Sequence, residues 1–201
     1  MSEQEAFWKG DFGDEYHARN AGRVRANFIF FERALSLIGE PRRVMELGCG
    51  TGDNLRALRM LYPYAKLSGV EINRVAADAC PKDAAVYCRP VGDFTNPQDV
   101  TYDLVLTKGF LIHVPPEALP AVYAKMAELS ARRVLIAEYY SPQPAAVAYR
   151  GHADRLWKRD FAGEFMAAHP KFRLAEYGFV SRYDQQAPQD DLNWFLLEKP
   201  A

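Results

Sequence analysis

Apolar positions along the chain follow two alternating periods. Between residues 24 and 38, Val24, Phe28, Phe31, Leu35 and Ile38 recur at spacings of four and three. That pattern predicts an amphipathic helix with Gly39 as its C-cap. "RRVMELG", residues 42–48, predicts a short buried strand that runs into a glycine-rich turn. "NLRALRMLY", residues 54–62, returns to helical spacing. "KLSGVEI" (66–72), "AAVYCRPV" (84–91), "YDLVLTKG" (102–109) and "RRVLIAEYY" (132–140) predict four further strands. Helices are expected between them at "RVAADAC" (74–80) and over 116–130, where Leu119, Val122, Met126 and Leu129 keep helical spacing. Strand and helix in alternation predict an α/β domain with a doubly wound, mostly parallel sheet and right-handed crossovers. The tail breaks the rhythm. "FRLAEYGFVSR" (172–182) and "DLNWFLLEK" (191–199) have no helix between them, so an antiparallel C-terminal pair is expected at one sheet edge.

Composition narrows the partners. With 49% hydrophobic and 25% charged residues, the 201-residue chain has the makeup of a single globular domain. A net charge of -1 offers no polyanion-binding surface, so nucleic acid is not an expected partner. No apolar stretch approaches the ~20 residues of a membrane span, and no basic, apolar leader opens the chain. Cys49, Cys80 and Cys88 form neither a CxxC pair nor a zinc framework, so no metal is expected. These readings point to a soluble, cytoplasmic protein.

The chemistry concentrates in "ELGCGTG", residues 46–52, where the first strand turns into a helix. Gly48, Gly50 and Gly52 permit a tight turn and close approach of a ligand to the backbone. A dinucleotide fingerprint would need a third glycine at position 53, which is Asp53. An acidic side chain there is a poor neighbour for a pyrophosphate, which favours a nucleoside ligand without phosphates. Glu71 ends the second strand and can accept from both hydroxyls of a ribose. Asp93 can accept from an adenine amino group, and Phe94 can lie against the base.

These residues resemble the class I S-adenosylmethionine-dependent methyltransferases over about residues 42–140. The resemblance implies a Rossmann-like fold with S-adenosyl-L-methionine as cofactor. It implies methionine and ribose contacts from Glu46, Gly48, Cys49, Gly50, Gly52, Glu71 and Ile72, joined by Asp93, Phe94 and Lys108. The flanks narrow it further. "FWKGDFGDEYHARN" (7–20), "TKGFLIHV", "LIAEYYSP", "YRGHADRLWKRDFAGE" and "PQDDLNWFLLEK" are similar to the family of pseudaminic acid biosynthesis-associated methylases. That family name implies bacterial nonulosonic-acid metabolism, with a sugar acid or nucleotide-activated sugar as acceptor. By analogy with the wider class, residues 1–23 form a lid in which Tyr16 covers the sulfonium and Arg19 pairs with the methionine carboxylate.

Catalytic candidates lie at strand ends. His113 follows the fourth strand and can act as general base; Glu138 and Tyr139 end the fifth. The charge-rich stretch 149–165, within an acceptor-side segment 141–170, reads either as a solvated helix face or as part of the acceptor site. The acceptor reading assigns Arg150, His152 and Arg159 to an anionic substrate. Asp154 and Lys158 read as a helical i,i+4 pair. Three alternatives remain open: transfer of the aminocarboxypropyl arm or cyclisation of the cofactor, a non-catalytic cofactor-binding partner protein, and, weakest, a dehydrogenase. Oligomeric state is left open.

Overall fold

A computed structural model describes residues 3–20, 22–149 and 152–200, with the side chains of 16–20, 149 and 152–154 also outside the description. Five strands, β1 (Arg43–Leu47), β2 (Lys66–Glu71), β3 (Ala85–Cys88), β4 (Tyr102–Lys108) and β5 (Ser130–Glu138), pair in parallel. Two more, β8 (Arg173–Val180) and β9 (Leu192–Glu198), complete a seven-stranded sheet in the order β3-β2-β1-β4-β5-β9-β8. The two C-terminal strands pair antiparallel, as expected, but β9 lies between β5 and β8 and is antiparallel to both. β8 is therefore the edge strand.

Both faces of this sheet are covered, which is why its central strands read as apolar runs rather than alternating ones. Side chains alternate between two core clusters. Val44, Leu104, Leu106 and Leu135 pack with Phe30 and Phe31 of α3 (Val24–Ala34) and Leu55 and Leu58 of α4 (Asp53–Leu61). Met45, Val105, Val134 and Ile136 pack on the other face with Met126 of α6 (Leu119–Leu129) and Phe165 of α7 (Phe161–Ala168). The helix expected over 24–38 stops at Ala34, with turns carrying Leu35 to Ile38. The short α5 (Arg74–Ala79) is capped by Asn73, whose side chain accepts from the Ala76 N–H.

Two features escape the apolar periodicity. The N-terminal stretch makes two helices, α1 (Glu3–Lys9) and α2 (Asp11–Asn20). Gly13 permits their close return: a Cβ there would lie 2.0 Å from the Trp8 carbonyl oxygen. The stretch 149–165 is not one helix. Its middle is β7 (His152–Lys158), paired antiparallel with β6 (Ala145–Tyr149) in a separate two-stranded sheet, and its end is the first part of α7. Asp154 and Lys158 thus lie four residues apart on a strand and cannot form the helical pair. No helix among the described residues is long and apolar enough to cross a membrane.

Candidate active site

The strand order reverses between β1 and β4, and open α/β sheets bind ligands in the crevice at that reversal. A cavity of about 500 Å³ opens there. Its floor is the glycine loop. Gly48, Gly50 and Gly52 adopt φ of 73°, 53° and 81°, the left-handed region that only glycine enters without strain. Gly48 is also confined, since a Cβ on it would lie 2.2 Å from the Phe110 ring. The Gly48 and Cys49 N–H groups both donate to the Val70 carbonyl (2.8 and 3.1 Å), tying the loop to β2. Asp53, the residue that argued against a pyrophosphate, accepts from the Gly22 and Arg23 N–H groups and so fixes the approach to α3.

Glu71 sits beside this floor. One carboxylate oxygen accepts from the Gly50 N–H and the other from the Asn73 N–H, both at 2.8 Å. Burial raises its pKa, and those backbone donors oppose the rise. Each oxygen keeps a further lone pair for a ligand hydroxyl. Behind the loop, Glu46 is fully buried. Its Oε1 accepts from the Asn54 amide at 2.6 Å, while Glu46 Oε2 and Asn54 Oδ1 have no partner. Burial pushes the Glu46 carboxyl up to about 8. Two buried acceptors without donors suit an ammonium group, and Glu71 suits a vicinal diol. The donor set therefore fits an amino-acid-bearing nucleoside.

The far half of the cavity is built by β4, β5 and β7. Lys108 ends β4 and donates to Gln189 Oε1 at 3.0 Å. His113 closes the 3-10 turn Leu111–His113. Its Nδ1 lies 2.9 Å from the Arg155 carbonyl oxygen, so Nδ1 carries the proton and Nε2 is the acceptor of the neutral ring. Burial lowers its pKa to about 4, and the Trp8 ring lies 4.4 Å away. Tyr139, at the exit of β5, also lines the cavity.

Glu138 is placed differently from its expected catalytic role. It is 2% exposed, does not line the cavity, and accepts from the Phe110, Leu111 and Ile112 N–H groups at 3.1, 3.1 and 3.5 Å. Burial raises its carboxyl to about 7 against those donors. It is a backbone anchor for the turn that carries His113. Asp93 and Phe94 are also displaced. The Phe94 N–H turns back to the Val91 carbonyl, which sends the ring into the core, where it is 1% exposed; Asp93 points to solvent. Val91 and Gly92 line the cavity instead. Arg159 pairs with Glu164 at 2.8 Å, away from the cavity, beside a small cleft formed with Tyr140 and Phe161. The side chains of Tyr16, Arg19 and His152, and the whole of Arg150, lie outside the described residues.

The structure adds residues that the sequence reading missed. α1 closes over the site through Gln4, whose amide donates to the His113 carbonyl, and through Arg155 of β7, which bonds Gln4 and Glu3 and stacks on Phe7. Asn73 donates to the Trp8 carbonyl and to Asp14, which ties both N-terminal helices to the start of α5. Arg23, Asn27 and Gln189 also line the cavity. Only contacts distant in sequence reveal them. Cys49 lines the cavity with its thiol 4.0 Å from that of Cys80. Among the described residues, no three His, Cys, Asp or Glu side chains gather to hold a metal ion.

The buried carboxyls predict an unusual pH profile. Glu46, Glu71 and Glu138 all bind protons more tightly folded than unfolded. Their stabilisation is complete below about 4.5 and is lost as pH rises, for Glu138 through about 7 and for Glu46 through about 8. His113 works in the opposite sense, but only below 6.5, and Lys108 only above about 8. Melting temperature is therefore expected to rise by several degrees as pH falls from 8 to 6.5, at ~1.4 kcal/mol per pKa unit and ~2–4 °C per kcal/mol. Thermal melts across this window check the prediction; a flat profile would mean that these carboxyls stay ionised.

Comparison with known proteins agrees with this geometry. Residues 44–132 match the family model described as a methyltransferase domain. No curated protein sequence matches the chain. Among solved structures, a Burkholderia thailandensis 1,6-didemethyltoxoflavin-N1-methyltransferase is similar with a TM-score of 0.72 at 19% identity, over 99% of this chain and 90% of that one. Magnesium protoporphyrin IX methyltransferase from Synechocystis PCC 6803 is similar with a TM-score of 0.69 at 15% identity, over 100% and 99%. A plantazolicin methyltransferase is similar with a TM-score of 0.67 at 14% identity, over 98% and 95%. Residues 44–132 thus match a methyltransferase domain, and the chain as a whole adopts the Rossmann-like fold of these solved structures.

Proposed function

We propose that the chain transfers a methyl group from S-adenosyl-L-methionine to a small molecule, a sugar acid or nucleotide-activated sugar of nonulosonic-acid metabolism. One observation carries the cofactor assignment: the left-handed glycine loop, the Glu71 carboxylate and Asn54, whose orphaned Oδ1 sits in front of buried Glu46, converge on one cavity. Similar structures hold S-adenosylmethionine or S-adenosylhomocysteine. Their acceptors are chemically diverse, including 1,6-didemethyltoxoflavin and a pentazolic plantazolicin analogue. The sugar-acid reading rests on the sequence resemblance and on the cations Arg23, Arg89 and Lys108 that line the cavity.

The cofactor supplies an electrophilic methyl on a sulfonium whose sulfur keeps the bonding electrons on transfer. Such a reaction needs alignment and dryness more than chemical groups. Glu71 and the glycine loop fix the donor. Trp8, Phe110, Tyr139 and Leu156 exclude water from the far half. His113 is neutral at physiological pH, and in this reading its Nε2 receives the acceptor's proton. Arg150 and His152 are proposed acceptor contacts from the sequence.

An acceptor screen with labelled cofactor tests the reading, covering nonulosonic acids, their activated forms and amino-sugar precursors. S-adenosylhomocysteine as product supports methyl transfer; methylthioadenosine would shift the assignment to another transfer from the same cofactor. The N-terminal helices are proposed to act as a lid. Hydrogen exchange across α1 and α2 is expected to slow at least severalfold when S-adenosylhomocysteine is added. Equal protection with and without it would make the helices a fixed wall.

A further inference from the structure

We propose that Lys108 is the specificity-determining contact for the acceptor, receiving an anionic group of it, a carboxylate or ionised hydroxyl, while Gln189 and Asn27 hold the ammonium in place. The inference rests on the methyltransferase reading above and names the acceptor chemistry for that same site.

Lys108 is a cation in the cavity wall without a counter-ion. No carboxylate among the described residues lies within 4.0 Å of its Nζ. The contrast is Arg23, which lines the same cavity but pairs with Asp190 at 2.7 Å and is partly exposed. The Lys108 ammonium spends one of its three donors on Gln189 Oε1 and sits 5.6 Å from the centre of the Phe30 ring. Gln189 in turn donates to Asn27 Oδ1 at 3.1 Å, and both amides are buried at 2% and 3% exposure. The amine is thus held by a short, buried chain across β4, α3 and the loop before β9. Two donors remain for a ligand.

A partly buried charge without a counter-ion carries a desolvation cost, and an incoming anion offsets it. The charged groups around Lys108 do not do so. Burial is the largest influence and lowers the amine to about 8; Glu46, Asp190 and Glu138 oppose it, and Arg23 adds to it.

Strand order says which part of the ligand Lys108 meets. Glu71 at the exit of β2 marks the ribose, and the loop after β1 marks the methionine arm. β4 comes next, on the side away from β2, and Tyr139 at the exit of β5 follows. The proposal places Lys108 past the sulfonium, on the β4–β5 side from which a nucleophile would approach. Trp8, Leu156, Tyr139 and neutral His113, which line the same cavity, cannot distinguish an acid from its ester. Lys108 can.

A carboxylate could also come from the methionine arm, so the test separates the two sources. Affinity for S-adenosylhomocysteine is measured by calorimetry in the wild type, Lys108→Met and Lys108→Arg. With S-adenosylhomocysteine bound, N-acetylneuraminate and its methyl ester are then compared by ligand-observed NMR. The wild type is expected to prefer the acid at least tenfold. Lys108→Met should bind both alike with S-adenosylhomocysteine affinity within twofold, and Lys108→Arg should restore part of the preference. In the unmutated protein, the titration midpoint of the Lys108 Cε resonance should rise with the acid and not with S-adenosylhomocysteine alone. A tenfold loss of S-adenosylhomocysteine affinity in Lys108→Met, with acid preference intact, assigns the ammonium to the methionine arm and overturns the inference. Equal binding of acid and ester by the wild type, or binding of neither, overturns it as well. Failure of the wild type to bind S-adenosylhomocysteine would instead remove the cofactor reading beneath it.

Discussion

Replacing Glu71 with alanine is expected to weaken S-adenosylmethionine binding by tenfold or more. The carboxylate does two jobs. In the proposed site it offers lone pairs to a ribose diol, each charge-assisted bond contributing roughly 1.5–3 kcal/mol. It also accepts from the Gly50 N–H at 2.8 Å, so it holds the glycine loop in its left-handed course. Losing it removes ligand contacts and slackens the floor of the cavity together. Glu71→Gln separates the two: an amide oxygen still accepts from the loop, but the amide nitrogen cannot accept from a hydroxyl. Calorimetry should therefore rank wild type above Gln above Ala. Unchanged affinity in Glu71→Ala would show that the ribose lies elsewhere.

The second large effect is on stability. Glu138→Ala is expected to cost ~3–4 kcal/mol, because it strands the Phe110, Leu111 and Ile112 N–H groups in the interior. At ~2–4 °C per kcal/mol this lowers the melting temperature by about 10 °C. Glu138→Gln keeps one acceptor oxygen and should recover part of the loss. If Glu138 only anchors the turn, turnover by Glu138→Gln well below its melting temperature should stay within a few-fold of wild type and keep its pH profile. A loss of a hundredfold or more in a folded Glu138→Gln would restore the catalytic role that its position at the strand end first suggested.

The sheet was legible because its signal is local. Apolar runs such as Leu104–Leu106 and Val134–Ala137 are unbroken because both faces of the sheet are buried. The glycine loop and Glu71 were legible because a turn chemistry and a strand end are properties of a few adjacent residues. Phe94 was misplaced because "GDF" gives the residue types but not the turn direction; one hydrogen bond to Val91 sends the ring inward. Glu138 was misread for a related reason. A carboxylate at a strand end looks the same in sequence whether it faces a ligand or three backbone amides. The stretch 149–165 defeated periodicity because β7 packs on the 3-10 turn and on α1, not on the main sheet, so its alternation carries little apolar contrast. Gln189 and Asn27, 162 positions apart in sequence, meet only in the folded chain.

The clasp between Gln4 and Arg155 joins residues 151 positions apart. It can form only after β7 has docked against the 3-10 turn that carries His113. Contacts of such long sequence separation pay a large loop-closure entropy and form late. The glycine loop and its strands close over much shorter distances, so the ligand floor should be assembled while the N-terminal helices are still undocked. In refolding, competence to bind S-adenosylhomocysteine should then precede protection of α1, and the cover should be the first element to open when the chain is loosened by mild denaturant.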